Sequence, residues 1–427
     1  MPGGGGAKIR FGESIAVGDF NGDGWDDVAI GAPFADASAT RQNAGAVRVW
    51  YGALGFSTPC PSTGCAAPVE LDGLTRPPDL VLFGQSANAQ MGKSLANAGD
   101  LTHDADPTPH DELIVGGFQR AIVVDFELIA GNDLLPALTL LPGVTTSTFG
   151  VFVGSLEVAG ERVIWVGDYG IGGTAPVASR MYFYREGVVG WDGAVDLTLQ
   201  WAAVPSSGLT AATSVSDWDG DGDVDLAVGC SECSAAQANV KVWHATDLLG
   251  AVNLDGAQTP AFGGPIASFA GPQFSRTGTA LLGFADGHLA TGAIGISSSK
   301  GKVLTLEPGV ALDVNTTTQL AGTAAGRLGS ALAAVDINFD GAEDVVGGAP
   351  TAVLNSQVRG MVRFGNGHHP GAAPPAVDSP MFLWGPTHPS TAVGSQFGKA
   401  LAVGDINGDG YDDLFIGAPA AKGLSFN

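Results

Sequence analysis

Short apolar runs punctuate the whole chain, each bounded by glycine, proline, asparagine or aspartate; VAIGA (28–32), AVRVWYG (46–52), LVLFG (80–84), VKVWHA (240–245) and MFLWG (381–385) are representative. Runs this short, rich in Val, Ile and aromatic side chains and closed by turn residues, predict β-strands, because a helix needs a longer amphipathic stretch to bury its face. AVRVWYG and GMVRFG (360–365) also show the two-residue period of a strand. The chain reads as all-β.

The same order of runs recurs. FGESIAVGDFNGDGWDDVAIGAP (11–33) and FGKALAVGDINGDGYDDLFIGAP (397–419) are the clearest copies, and LGSALAAVDINFDGAEDVVGGAP (328–350) follows closely. MGKSLANAGDLTHDADPTPHDELIVGG (91–117), FGVFVGSLEVAGERVIWVGD (149–168), GLTAATSVSDWDGDGDVDLAVG (208–229) and TGTALLGFADGHLATGAIG (277–295) bring the set to seven. In each, a first run leads through a polar loop to a second run ending in Gly-Ala-Pro or a variant, and two further runs follow. Asp19 and Asp405 stand six units apart, so a unit takes about 64 residues, enough for one four-stranded blade. The expected fold is a single seven-bladed β-propeller of four-stranded antiparallel blades, spanning 11–84, 91–141, 149–201, 208–269, 277–320, 328–385 and 397–427.

Four of the polar loops carry oxygen ligands at alternate positions. Asp19, Asn21, Asp23 and Asp27 in the first unit are matched by Asp217, Asp219, Asp221 and Asp225 in the fourth, by Asp336, Asn338, Asp340 and Asp344 in the sixth, and by Asp405, Asn407, Asp409 and Asp413 in the seventh. Carboxylate and amide oxygens in one short loop suit a hard cation, and the backbone carbonyl at the seventh position (Trp25, Asp223, Ala342 or Tyr411) offers a further ligand; Ca2+ is the expected ion. Without a counter-ion, each pair of adjacent carboxylates would repel by up to about 4 kcal/mol at an effective dielectric near 20. An EF-hand needs a Glu at position twelve, where these loops hold Ile30, Val228, Gly347 and Ile416, so the loop is a hairpin between strands. In the second unit Asp100, Thr102, Asp104, Asp106 and Asp111 surround a Pro-Thr-Pro-His insertion and read either as a fifth ion site or as a turn. Ser155-Leu-Glu157 and Asp286-Gly-His288, in the third and fifth units, read as plain turns.

The charge supports cations as partners. With 19 basic residues and a formal charge of −24, the chain has no basic surface for nucleic acid, and four Ca2+ would bring that charge to −16. The four cysteines form two close pairs, Cys60/Cys65 and Cys230/Cys233. Two local disulfides are expected, with a single zinc site using all four thiolates as the alternative. There is no apolar run long enough to span a bilayer, and residues 1–10 lack the hydrophobic stretch of a signal peptide.

The FG…DxNxDGxxD…GAP unit resembles the FG-GAP repeat of integrin α-subunit propellers and their bacterial relatives, over essentially the whole chain. The resemblance implies a secreted or cell-surface binding or adhesion scaffold, with calcium stiffening hairpins on one face and recognition loops for a protein or glycan on the other. The candidate recognition loops are the insertions after the Gly-Ala-Pro positions: Phe34–Asn43, Phe118–Arg120, Ser231–Asn239 and Thr351–Val358. An enzyme is not expected. Calcium-rich propellers also include polysaccharide lyases, but only five Tyr and 19 basic residues are present, with no G-x-S-x-G or HExxH. A structural subunit of a surface assembly is the third reading.

Three look-alikes are discounted. ANAQMGKS (87–94) imitates a phosphate-binding loop, but Gly92-Lys93-Ser94 is in phase with Gly12-Glu13-Ser14 of the first unit. Asp36-Ala-Ser38-Ala-Thr40 and His368-His369 read as exposed loops. Finally, a strand precedes each internal unit start by about eight residues, yet Met1–Gly3 offers none. The last blade is therefore expected to have three strands, with a free edge in Gly423–Asn427 that is tolerated or completed by a neighbouring chain.

Overall fold

The structure is a computed structural model that describes residues 9–421 apart from 54–70, 72–75, 102–108, 130, 142–147, 159, 169–179, 187–189, 201–208, 216, 232, 234–238, 247–264, 273–274, 285–286, 310–317, 323–325, 366–380 and 387–393. The apolar runs are strands, and four successive runs pair antiparallel into one sheet. Blade 1 comprises Ile15–Gly18, Asp27–Ala32, Ala46–Trp50 and Leu80–Phe83, in that spatial order. Blades 2 to 6 repeat the meander, opening on Ser94–Gly99, Phe152–Val158, Leu209–Val215, Thr277–Gly283 and Leu332–Val335. A small hairpin, Val353–Leu354 with Gln357–Val358, is inserted after the second strand of blade 6.

The described residues thus form six four-stranded blades, not the seven expected. The seventh unit supplies a two-stranded sheet, Leu401–Gly404 paired with Asp413–Ile416, because the segment that would continue it, 422–427, lies outside the described residues. The expectations for Met1–Gly3 and Gly423–Asn427 fall outside them too. A second correction concerns Ser155–Glu157, which lies inside the strand Phe152–Val158 and not in a turn; its hairpin with Glu161–Asp168 turns at Gly160, where φ is 81°.

The first strands of successive sheets lie side by side around a closed ring, with the two-stranded sheet between blade 6 and blade 1. Each seam holds its own apolar cluster. Val28, Ile30 and Trp50 of blade 1 pack on Ile406 and Phe415 across the closing seam, while Val47, Val49 and Leu82 face Leu113 and Val115 of blade 2. Both faces of each sheet are covered, so second strands such as Asp27–Ala32, Asp225–Cys230 and Asp344–Ala349 are buried throughout and read as continuous apolar runs.

The two glycines of the repeat meet at these seams. The carbonyl of the glycine that leads into the first strand of one unit sits against the Cα of the Gly-Ala-Pro glycine in the preceding one: Gly92 on Gly31, Gly150 on Gly116, Gly278 on Gly229, Gly329 on Gly292 and Gly398 on Gly348. Gly12 on Gly417 closes the ring in the same way. In blades 1 and 2 a serine fixes the contact, Ser14 Oγ donating to the Gly92 carbonyl at 2.9 Å and Ser94 Oγ to that of Gly150 at 3.1 Å. The sequence likeness of 87–94 to a phosphate-binding loop thus comes from a blade seam.

Candidate metal centres

The acidic loops connect first to second strands, so they gather at one end of the blades. All four share one pattern of loop hydrogen bonds, most completely in the first, sixth and seventh units. The first-position carboxylate accepts from the backbone N–H of positions five and six: Asp19 from Asp23 (3.1 Å) and Gly24 (2.8 Å), Asp336 from Asp340 (3.2 Å) and Gly341 (2.9 Å), Asp405 from Asp409 (3.1 Å) and Gly410 (2.8 Å). Asp217 accepts from Gly222 at 3.0 Å. The sixth position must turn left-handed, and Gly24, Gly222, Gly341 and Gly410 have φ of 85°, 97°, 85° and 84°. The third-position oxygen accepts from the fifth N–H, as Asn21 does from Asp23 at 2.9 Å. The fifth-position carboxylate accepts from the seventh N–H: Asp23 from Trp25, Asp221 from Asp223, Asp340 from Ala342 and Asp409 from Tyr411, all at 2.9–3.0 Å. These bonds draw the acidic side chains together, and each bonded oxygen keeps a second lone pair.

The ninth-position aspartate closes the loop from beneath. Asp27 Oδ2 accepts from Phe20 N–H at 3.0 Å, Asp225 Oδ2 from Trp218 at 2.8 Å, and Asp344 Oδ2 from Ile337 at 3.1 Å. Burial, together with the charges of Asp23 and Asp19, pushes the Asp27 carboxyl up to about 7. Burial first and neighbouring loop carboxylates second raise Asp225 and Asp413 to about 6.

These shifts set a pH dependence for the ion-free chain. Unfolded carboxylates titrate near pH ~4. Between about pH 4 and 7 the folded chain therefore holds more protons than the unfolded one, and its stability falls as the pH rises through that window. Melting in chelator is expected to give a higher Tm at pH 5 than at pH 7.5. Calcium should remove or invert the trend, because it favours the charged carboxylates. A Tm in chelator that stays flat over this range would contradict the assignment.

The second unit is built differently. Thr102, Asp104 and Asp106 lie outside the described residues. Asp111 does not take the ninth position; its Oδ2 accepts from Asn97 Nδ2 at 2.7 Å and from Asp19 N–H of the first loop at 3.2 Å. Asp26 does the same for the seventh loop, accepting Asp405 N–H at 2.8 Å, so the eighth position staples one loop to the loop before it. The ninth position belongs to Glu112, whose Oε2 accepts Leu101 N–H at 2.6 Å; Asp100 stands just ahead, at the loop's first position. The residue opposite the ninth position, on the third strand, also faces the loop. In blade 4 this is His244, with Nδ1 3.2 Å from Asp221 and 3.5 Å from Asp225. Linear spacing does not bring His244 to the fourth loop; the strand register Asp225↔His244 does.

The loops between second and third strands lie at the opposite end. Phe118 is 42 % exposed and Val353, in the inserted hairpin, 38 %. Asp36 Oδ1 accepts Asn43 N–H at 2.7 Å and shapes the first of these loops. Cys230 and Cys233, at the end of a second strand, form a disulfide with Cα atoms 5.4 Å apart. Cys60, Cys65, His368 and His369 lie outside the described residues. No helix among the described residues is long and apolar enough to cross a membrane.

The FG-GAP repeat model matches residues 11–50 and 397–426, the two units that flank the closing seam. Integrin alpha-3 of Mus musculus is 37% identical over 102 residues, covering 23% of this chain and 9% of that protein. Integrin alpha-V of Gallus gallus is 38% identical over 92 residues, 22% of this chain and 7% of that protein. Integrin alpha ina-1 of Caenorhabditis elegans is 62% identical over 29 residues, 7% of this chain and 2% of that protein. The matches thus span less than a tenth of these relatives. The chain is a β-propeller that carries FG-GAP repeats and is similar in sequence to integrin α-subunits.

Proposed function

We propose that the chain is an extracellular, calcium-stabilised binding scaffold that presents loops to a protein or glycan ligand. One observation carries the reading: four loops fold to the same hydrogen-bonded hairpin and crowd carboxylates together at one end of the blades, leaving the variable loops at the other. Asp19, Asn21, Asp23 and Asp27 with the Trp25 carbonyl would hold one Ca2+, and the corresponding residues of units four, six and seven would hold three more. The donor set fits, being all oxygen and rich in charge. Calcium then neutralises the loops, and the stiffened ring holds the opposite loops in place. The integrin names of the relatives favour a binding role over an enzymatic one.

Immobilised full-length chain should retain a ligand from surface-protein or glycan libraries in calcium and release it in chelator. Insertion into the Val353–Gln357 hairpin or Phe118→Ala should weaken that capture without changing the calcium content. Calcium-dependent depolymerisation of an acidic polysaccharide, or fewer than about two calcium ions per folded chain by elemental analysis, would overturn the reading.

A further inference from the structure

Blade 2 contains a cluster outside the four acidic loops assigned to calcium, built on its own, differently spaced loop. Glu112 opens the second strand Glu112–Gly116, and Asp125 follows directly on the third strand Ala121–Val124. The register Leu113↔Val124 sets Glu112 and Asp125 opposite each other. His110 precedes Glu112 by two residues, which in extended backbone puts both side chains on one side. All three are buried, at 4 %, 1 % and 7 % exposure. One ligand atom from each lies within 4.8 Å of the other two.

Two details mark this as more than a buried ion pair. His110 Nε2 and Asp125 Oδ1 are 3.3 Å apart, about the spacing that two ligands reach on a tetrahedral ion with bonds of ~2.0–2.1 Å. Glu112 Oε1, on a side chain that is almost wholly buried, has no hydrogen-bond partner among the described residues, although Oε2 is satisfied by Leu101. A buried carboxylate oxygen left without a partner is strongly unfavourable, and a cation at the cluster would remove that penalty.

The donor set also selects the ion. Ca2+ takes six to eight oxygens in this kind of loop, whereas one imidazole nitrogen with two carboxylates suits a borderline divalent ion. We propose that His110, Glu112 and Asp125 form a site for Zn2+ or a divalent transition ion of the same class. The site uses the seventh and ninth loop positions together with the residue across the strand, the place of Tyr51 in blade 1 and His244 in blade 4. It does not depend on calcium in the other four loops.

The test uses the full chain saturated with Ca2+, titrated with Zn2+ and, for its absorption spectrum, with Co2+. One Zn2+ per chain is expected to bind and resist displacement by excess Ca2+, with cobalt giving the visible bands of a low-coordinate nitrogen and oxygen site. His110→Asn should weaken zinc by at least about a hundredfold, since even outer-sphere changes cost ~10–100-fold. His244→Asn, which alters the exposed group with Asp219 and Asp221, should leave this ion in place. If His110→Asn does not fold, loss of the cobalt bands on adding zinc to the unaltered chain, without loss on adding calcium, still reports the site. No zinc uptake, displacement by Ca2+, or unchanged uptake in a folded His110→Asn chain would each overturn the proposal. Calcium content measured in the same samples reads the four-loop assignment separately.

Discussion

Stripping calcium is expected to lower the Tm of the full chain by roughly 10–20 °C at neutral pH. An ion that binds only the folded state at about a hundred times its Kd contributes ~2.7 kcal/mol. Four such loops sum to ~11 kcal/mol, and at this chain length 1 kcal/mol moves Tm by about 1–2 °C. The shift should be larger at pH 7.5 than at pH 5, because Asp27, Asp225 and Asp413 take up protons in the ion-free fold. Each loop should contribute a share, so Asp336→Asn with Asp340→Asn should remove about a quarter of the calcium effect. The first loop should cost more. Asp405 of the seventh loop is held by Asp26, and Asp19 by Asp111, so disordering the first loop loosens both its neighbours. Thermal scans with and without chelator decide it, and a calcium effect of under about 3 °C would sink the assignment of all four loops.

The strand order, the turn of the acidic loops and the repeat are legible in the chain because each rests on local spacing. A hairpin that folds nine residues around one centre writes its donors at alternate positions, and Asp19 to Asp27 shows it without any structure. Blade 2 is less legible for the same reason. The Pro-Thr-Pro-His insertion breaks the spacing, so the sequence offers Asp111 among the candidate ligands but not Glu112, while the pairing Gly99↔Glu112, equivalent to Gly18↔Asp27, gives the ninth position to Glu112. Asp125 and His244 stayed hidden because they reach the loops across a strand ladder and not along the chain. Ser155–Glu157 reads as a turn in the sequence because the third unit lacks the acidic loop that lengthens the others. Its strands instead meet in a tight hairpin at Gly160.

The repeat's glycines were legible as letters, but only the packing gives their reason, and that reason makes the strongest mutational prediction. Gly31, Gly116, Gly229, Gly292 and Gly348 have no left-handed φ, so their backbones could accept any residue. Space forbids it: a Cβ on Gly292 would stand 1.9 Å from the Gly329 carbonyl oxygen, and one on Gly348 2.1 Å from that of Gly398. The obstacle is backbone of the neighbouring sheet, which cannot rotate away as a side chain would, so the seam must open. Gly348→Ala is expected to destabilise the chain by about 3 kcal/mol or more, since overpacking typically costs ~1–3 kcal/mol even where side chains can give way. Gly309→Ala provides the contrast. Its φ of 69° imposes strain, but a Cβ there meets none of the described residues within 4 Å, and the expected loss is ~1–2 kcal/mol. Denaturant melts of both variants in saturating calcium separate the two mechanisms, because the four acidic loops are untouched in each. Equal losses would mean that close approach of the neighbouring sheet does not fix glycine at the seams. A larger loss at Gly348 would show that the spacing between neighbouring sheets is set by backbone contact, leaving no room for a side chain at the point where one unit hands over to the next.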